Sequence, residues 1–339
     1  MKKTKITFFE INEKWQIELL QKELPKARYS LVFTKARLTS ETARHHADSE
    51  IISVFVNSKV DKKTLSKLPR LRFITTNSTG FDHIDLAECN RRRIKVSNVP
   101  FYGENTVAEH TFALILALSR KIVRSVNRTK RGSLARSGLR GFDLKGKTIG
   151  VVGTGHIGQH VIRMAHGFEM KMLAFDLKKD HTLENHYPLK YVSLEKLLRE
   201  SDIVSLHAPY NKATHHLINK NNVKFFKKSA LLINTARGGL VDSKALLVAL
   251  QRGQLAGAGL DVLEEEGAIS EDSLAAKGID SQELQVILAG HKLISLDNVI
   301  VTPHNAFNSE EAVNRIISTA ADNIKSWKKG KPVNLVSRW

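Results

Sequence analysis

A strand candidate, KTIGVV at 147–152, runs directly into the string GTGHIG, and a helical pattern follows. Three glycines at this spacing, Gly153, Gly155 and Gly158, restrict the chain more than any other feature. The first permits a tight turn, the second lets a pyrophosphate approach the backbone, and the third lets helix and sheet pack closely. The helix N-terminus then offers its unpaired amides to phosphate oxygens. The next strand, KMLAFD, ends in Asp176, 23 residues after Gly153, where a carboxylate can accept hydrogen bonds from a ribose diol. An acid there repels a 2′-phosphate, so the pattern predicts NAD rather than NADP, although Lys178 and Lys179 pull the other way.

The rest of the chain fits such a turn. Short apolar runs alternate with helical stretches, which predicts an α/β fold with parallel sheets. In the first hundred residues KITFFEI, SLVFT, IISVFV, LRFITT and IKVSNV read as strands. DKKTLSKL reads as a helix between them, with Asp61 as N-cap. One long amphipathic helix is predicted over Glu104–Val123. A second strand series follows, from KTIGVVG through KMLAFD, DIVSLHA, ALLINTA, GAGLDV and NVIVTP, and a final helix is expected over Ser309–Trp327. The segment 264–297 breaks the rhythm. It holds eight acids against two lysines, exceeds an ordinary loop, and is assigned a short helix near Ser281–His291.

Composition mainly excludes. Hydrophobic residues at 42% and charged residues at 26% describe a folded globular chain. Cys89 stands alone, which rules out an internal disulfide or a cysteine metal cluster and predicts a cytoplasmic setting. The N-terminal apolar stretch stops at Glu10, too short for a signal-peptide core. FALILAL at 112–118 falls far short of the ~20 residues that a membrane span needs. The formal charge of +19 is lopsided: residues 1–150 hold 30 Lys and Arg against 14 Asp and Glu. Between Arg120 and Lys147 ten basic residues face one acid, Asp143, but only Phe142 interleaves with them. Without aromatic alternation or zinc-finger spacing, this reads as a solvated or interface surface rather than a nucleic-acid site.

Three further segments end strands of the second series: INTARGG (233–239), GAGLDVLEEE (257–266) and VTPHNAF (301–307). Ligands bind outside the carboxyl ends of strands in an open parallel sheet, so these segments should converge on the cofactor. They bring Arg237, Asp261, Glu266 and His304. Arginine grips a carboxylate bidentately, histidine protonates a carbonyl oxygen as hydride arrives, and a neighbouring carboxylate orients the imidazole. That set suffices for hydride transfer to a 2-keto acid.

With these segments in view, the chain resembles the D-isomer-specific 2-hydroxyacid dehydrogenases, and among them the D-lactate dehydrogenases. STGFDHID at 78–85, NVPFYGENTVAEHTFAL at 98–114, the GTGHIG turn, LHAPYNKATHHLI at 206–218 and the three strand-end segments fall in family order over nearly the whole chain. The resemblance implies two Rossmann- or flavodoxin-like domains: a substrate domain from 1–101 and 305–339, and an NAD domain, 102–304, inserted between. It makes Arg237 the binder of substrate carboxylate and carbonyl, His304 the general acid in reduction, and Glu266 its partner, five residues after Asp261. Backbone amides at Thr79 and Gly80 would hold the substrate carboxylate from across the cleft, with Tyr102 and Phe307 lining the pocket. His156, Ile157 and Asp176 would meet pyrophosphate and ribose. Ala208, Pro209 and Thr214 would flank the adenosine half, and Thr235, Ala236 and Asp261 the nicotinamide ribose and carboxamide. The implied reaction is reduction of pyruvate to D-lactate by NADH, in a homodimer.

Gly267 after Glu266, where many glyoxylate or hydroxypyruvate reductases carry proline, leans towards the lactate type. Asn57 stands where an aromatic would be less surprising. Reductases of glyoxylate, hydroxypyruvate, phosphoglycerate or branched keto acids remain alternatives, as does an NAD-sensing corepressor-like protein. No metal is expected: His156 and His160 share a helix face without a carboxylate at ligand spacing. His45–His46 and His215–His216 read as surface pairs with diverging side chains. Ala108, Phe112, Ile115, Leu116 and Ser119 read as a face buried at a domain or dimer contact.

Overall fold

The computed structural model describes residues 3–266 and 281–336. The chain divides into two compact units, Met1–Tyr102 with Ser309–Trp339, and Gly103–Asn308. In the first unit five parallel strands, β1 (Thr4–Phe8), β2 (Tyr29–Phe33), β3 (Ile51–Val54), β4 (Phe73–Thr76) and β5 (Lys95–Ser97), lie in the order β2-β1-β3-β4-β5. The helices between them are α1 (Lys14–Glu23), α2 (Lys62–Leu65) and α3 (Leu86–Arg91). Asp61 caps α2 as predicted, accepting from Thr64 N at 2.8 Å. Phe9, Ile52, Val54, Ile74 and Val96 meet in one buried cluster. The C-terminal helix, Glu310–Lys328, returns to this sheet: Trp327 stacks on Phe73, and the fully buried Asn323 donates to Thr75 Oγ1 and Asn98 O.

The second unit holds seven parallel strands: β6 (Thr148–Val152), β7 (Lys171–Phe175), β8 (Leu189–Tyr191), β9 (Ile203–Leu206), β10 (Leu231–Asn234), β11 (Gly257–Leu260) and β12 (Val299–Val301). Their order is β12-β11-β10-β9-β6-β7-β8, so the direction of winding reverses between β6 and β9. Both faces are covered, and alternate residues divide between two cores. Leu232, Val204 and Leu260 enter one, while Ile203, Ile233 and Val151 enter the other. β8 was not anticipated; its three residues, LKY after Pro188, carry no apolar run.

The helix expected over Glu104–Val123 is two helices, α4 (Glu104–Ser119) and α5 (Ile122–Lys130). The break has a visible cause. Phe142 N donates to Ser119 O at 3.0 Å, and a Cβ on Gly141 would lie 2.0 Å from that oxygen. The returning chain thus ends α4, and Lys121 takes a left-handed turn at φ 52. Ala108, Phe112 and Ile115 are buried within this unit's own core, whereas α5 has no buried residue. The remaining helices are α6 (His156–Gly167), α7 (His181–His186), α8 (Leu194–Glu200), α9 (Ser243–Gln251) and α10 (Ser281–Ser295). α10 covers the helix expected near Ser281–His291 and runs past it; the stretch 267–280 lies outside the described residues.

Candidate active site

The glycine turn stands at the reversal point of the second sheet. Gly153 has φ +94, and a Cβ there would come within 2.6 Å of Ala208 N, where β9 gives way to its loop. A Cβ on Gly158 would lie 2.1 Å from Gly153 O. Gly155 is different: nothing stands within 4 Å of its Cβ position. It is the cap of α6, with His156 exposed and Ile157 half-buried beside it. Asp176, just past β7, turns back to the turn. Its Oδ2 accepts from Thr154 N at 2.7 Å and from Thr154 Oγ1, and its Oδ1 accepts from Lys178 N. Thr154 was not singled out in the sequence, yet Tyr191 on β8 pairs with its hydroxyl at 2.9 Å. Ala208, Pro209 and Thr214 form one loop, in which Thr214 Oγ1 donates to Pro209 O.

The strand-end residues gather in the same unit. His304 Nδ1 and Glu266 Oε1 are 2.6 Å apart, and Glu266 Oε2 accepts from Leu263 N. Glu264 faces another way, towards His216. His304 occupies left-handed backbone, φ 50, and its N–H donates to Asp261 O and Thr302 O. A non-glycine residue there is uncommon and needs such fixing. Asp261 is fully buried. Its side chain clamps the turn that carries His304: Oδ1 accepts from Thr302 Oγ1 (2.5 Å) and Asn305 N (2.8 Å), and Oδ2 from Ala306 N (2.9 Å). His110 Nε2 lies 3.4 Å from Oδ1. Burial, the largest influence, would raise this carboxyl's pKa; the hydrogen bonds of His110, Thr302, Ala306 and Asn305 outweigh it and hold the group below its ordinary value. His110, on α4, went unnoticed because its partners lie far along the chain.

Arg237 follows β10. Its Nη1 donates to Ala236 O, while Asn234 fastens the turn through Ala236 N and Arg237 O. Thr235, nearly buried, pairs with Thr111 Oγ1 at 2.9 Å. Nothing in the sequence marks Gly238, yet a Cβ there would lie 2.1 Å from Leu263 C and O. Only glycine lets the Arg237 turn press against the loop leading to Glu266. Phe307 is half-buried.

In the first unit, the loop after β4 brings Thr79 and Gly80 to its surface. Thr79 Oγ1 donates to Val99 O, Asn98 Nδ2 to Thr79 O, and Ser78 Oγ to Gly80 O. Tyr102 is half-buried, with its carbonyl accepting from Arg315 Nε. Asn57 is exposed. The histidine pair at 215–216 does not diverge: the rings stack 3.8 Å apart, because His216 adopts φ 51.

Residues 112–306 match the model of the D-isomer specific 2-hydroxyacid dehydrogenase, NAD binding domain. The chain belongs to this family. A crystal structure of D-lactate dehydrogenase from Aquifex aeolicus, complexed with NAD and lactic acid, is similar at 36% identity and TM-score 0.87 over 98% of this chain and 99% of that one. The pyruvate reductase of Chlamydomonas reinhardtii matches at 34% identity and TM-score 0.85, covering 98% of both chains. Glyoxylate reductase of Pyrococcus furiosus is 36% identical over 299 residues, 86% of this chain and 83% of the relative.

This dehydrogenase is therefore an NAD-dependent oxidoreductase acting on D-2-hydroxy acids, as the resemblance in its motifs implied. Its glycine turn fits the cofactor on its own evidence. Two glycines are compelled by backbone contacts, whereas the open space at Gly155 faces no protein atom and suits a diphosphate at the N-terminus of α6. Among the described residues no helix is long and apolar enough to cross a membrane.

Proposed function

We propose that this dehydrogenase reduces pyruvate to D-lactate, with Arg237, Glu266 and His304 as its catalytic residues. The observation that carries the reading is the 2.6 Å contact between His304 Nδ1 and Glu266 Oε1 beyond the strand ends of the unit that holds the glycine turn. Bound NADH supplies the hydride that the keto carbon receives. His304, its Nδ1 proton held by Glu266, presents Nε2–H to the substrate oxygen and gives up that proton as the alcohol forms. In oxidation the neutral ring takes the proton back. Arg237 binds the carboxylate and polarises the carbonyl, two tasks for which a planar guanidinium is suited. Asp261 keeps His304 in its left-handed turn.

Gly103–Asn308 is the proposed NAD unit. Gly153, Gly155, His156, Ile157 and Gly158 surround the diphosphate, Asp176 holds the ribose, Ala208, Pro209 and Thr214 flank the adenosine half, and Thr235 and Ala236 the nicotinamide half. Thr79, Gly80, Tyr102 and Phe307 are the proposed substrate-binding residues. Pyruvate is favoured over glyoxylate by Gly267 and by the likeness to an enzyme that binds lactic acid. The reading includes a homodimer.

NADH oxidation with pyruvate, 2-ketobutyrate, 2-ketoisocaproate, phenylpyruvate, glyoxylate and hydroxypyruvate, with NADPH in parallel, tests it. The expected result is the highest kcat/KM for pyruvate and weak use of NADPH. A preference for glyoxylate or hydroxypyruvate would overturn the lactate assignment while leaving the chemistry in place.

A further inference from the structure

A second histidine–glutamate pair stands in the unit that holds His304 and Glu266. His216 Nε2 and Glu264 Oε1 are 2.5 Å apart, and Glu264 Oε2 accepts from Ser243 N at 3.1 Å. Glu264 is 11% exposed, so its charge is largely confined to these partners. His216 is itself held on the other side. Its ring stacks on His215, whose Nδ1 pairs with the Tyr210 hydroxyl at 3.1 Å. The Tyr210 ring lies where a Cβ on Gly239 would come within 2.6 Å of it.

The main chain of His216 serves a different loop from its side chain. His216 N donates to Gly239 O at 2.8 Å, and Ile218 N to Leu240 O at 3.0 Å, just beyond Arg237. One residue thus fastens both the turn that carries Arg237 and the loop that carries Glu266. Between Glu264 and Glu266 stands Glu265 in left-handed backbone, φ 51. That reversal sends Glu264 to His216 and Glu266 to His304, and a non-glycine residue holds it only under outside constraint.

We infer that His216 is a positioning residue for hydride transfer: anchored by Glu264, it keeps the Leu263–Glu266 loop in register with the Arg237 turn, so that Glu266 stays against His304. The inference rests on the reading that Glu266 orients His304. It assigns His216 no contact with substrate or cofactor. Loss of the tether lets Glu266 drift from the imidazole, and displacements of about 1 Å in such an arrangement cost up to about 100-fold in rate.

The test uses the full chain with His216→Ala, His216→Gln, Glu264→Ala, the double alanine variant and Glu266→Gln. Steady-state constants with pyruvate, NADH binding by fluorescence and thermal melts are measured for each. His216→Ala should lower kcat about 10- to 100-fold while NADH affinity stays within about twofold of the parent, a range set by treating the tether as remote from the cofactor. His216→Gln, whose amide can donate to Glu264 from nearly the position of Nε2, should recover most of the rate. The double alanine variant should be no slower than either single one, since both remove one tether. Unchanged kcat in both alanine variants, or a loss that follows NADH affinity, overturns the inference. If His216→Ala does not fold, Glu264→Ala decides by the same criteria. Glu266→Gln separates the two levels. Full activity there removes the underlying reading, whereas a slow Glu266→Gln beside an active His216→Ala removes only the role of His216.

Discussion

Asp261, a fully buried carboxylate, holds the turn that carries His304, the proton donor of the proposed reaction. The imidazole stands on a left-handed turn, and Asp261 closes that turn through its own carbonyl and through Asn305 and Ala306 amides. His304→Gln should therefore lower kcat for reduction by about 10²- to 10⁴-fold, the usual worth of a general acid, with NADH still binding in a fluorescence titration. A variant that keeps its rate would remove the proton-donor role. Asp261→Asn turns an amide donor towards amide donors and should destabilise the chain by about 2–4 kcal/mol at pH 7. The acid dependence has a definite sign. Because folding depresses this carboxyl, its contribution is present above the unfolded value of about 3.9 and fades as pH falls through the lower folded value. Urea midpoints of parent and Asp261→Asn should thus converge below about pH 4. Arg237 and His304 stand just past apolar runs that form β10 and β12, so their placement at strand ends was legible; the choice of Glu266 among three adjacent acids came from the family resemblance alone. The work of Asp261, by contrast, could not be read. A DV pair at a strand end says nothing of partners more than forty residues ahead or, at His110, far behind.

At the scale of elements, the glycine turn makes a prediction that separates folding from binding. Gly153→Ala adds a side chain at φ +94 against Ala208 N, and Gly158→Ala drives one into Gly153 O. Each should cost about 2 kcal/mol or more and lower the melting temperature. Gly155→Ala meets nothing, so its melting temperature should match the parent's while NADH affinity falls, because the added methyl occupies the space proposed for the diphosphate. Equal losses of stability in all three would remove that distinction, and unchanged NADH affinity in Gly155→Ala would move the diphosphate elsewhere. Most strands, and the cap at Asp61, could be read from apolar runs and capping residues. Two features could not. β8 lacks an apolar run and forms because β7 offers an open edge to pair with. The division between α4 and α5 is dictated by Phe142 and Gly141 some twenty residues later, so a sequence that is helical throughout by propensity still breaks at Lys121.

For the molecule as a whole, the interleaving of the two units was known from family resemblance and not from pattern. The stripe on Glu310–Lys328 says that it is buried but not on which sheet; that depends on Asn323 and Trp327 meeting Asn98, Thr75 and Phe73. On α4, whose apolar face suggests a domain or dimer contact, Ala108, Phe112 and Ile115 are buried inside its own unit and Leu116 and Leu118 are half-buried. On α5, Ile122, Val123 and Val126 are 49%, 44% and 45% exposed among Arg124, Arg128 and Lys130. The proposed homodimer therefore places α5 in the contact. Apolar association of two such strongly basic surfaces is opposed by like-charge repulsion, which salt screens. Light scattering should give twice the 38.0 kDa chain mass. The dimer should tighten between about 50 and 500 mM salt, the reverse of what contact with an anionic partner would show. Val126→Asp should shift the mass to that of one chain without lowering NADH affinity, since α5 contributes nothing to the glycine turn. A single-chain mass for the parent would remove the dimer, and a dimer indifferent to Val126→Asp would move its interface away from α5.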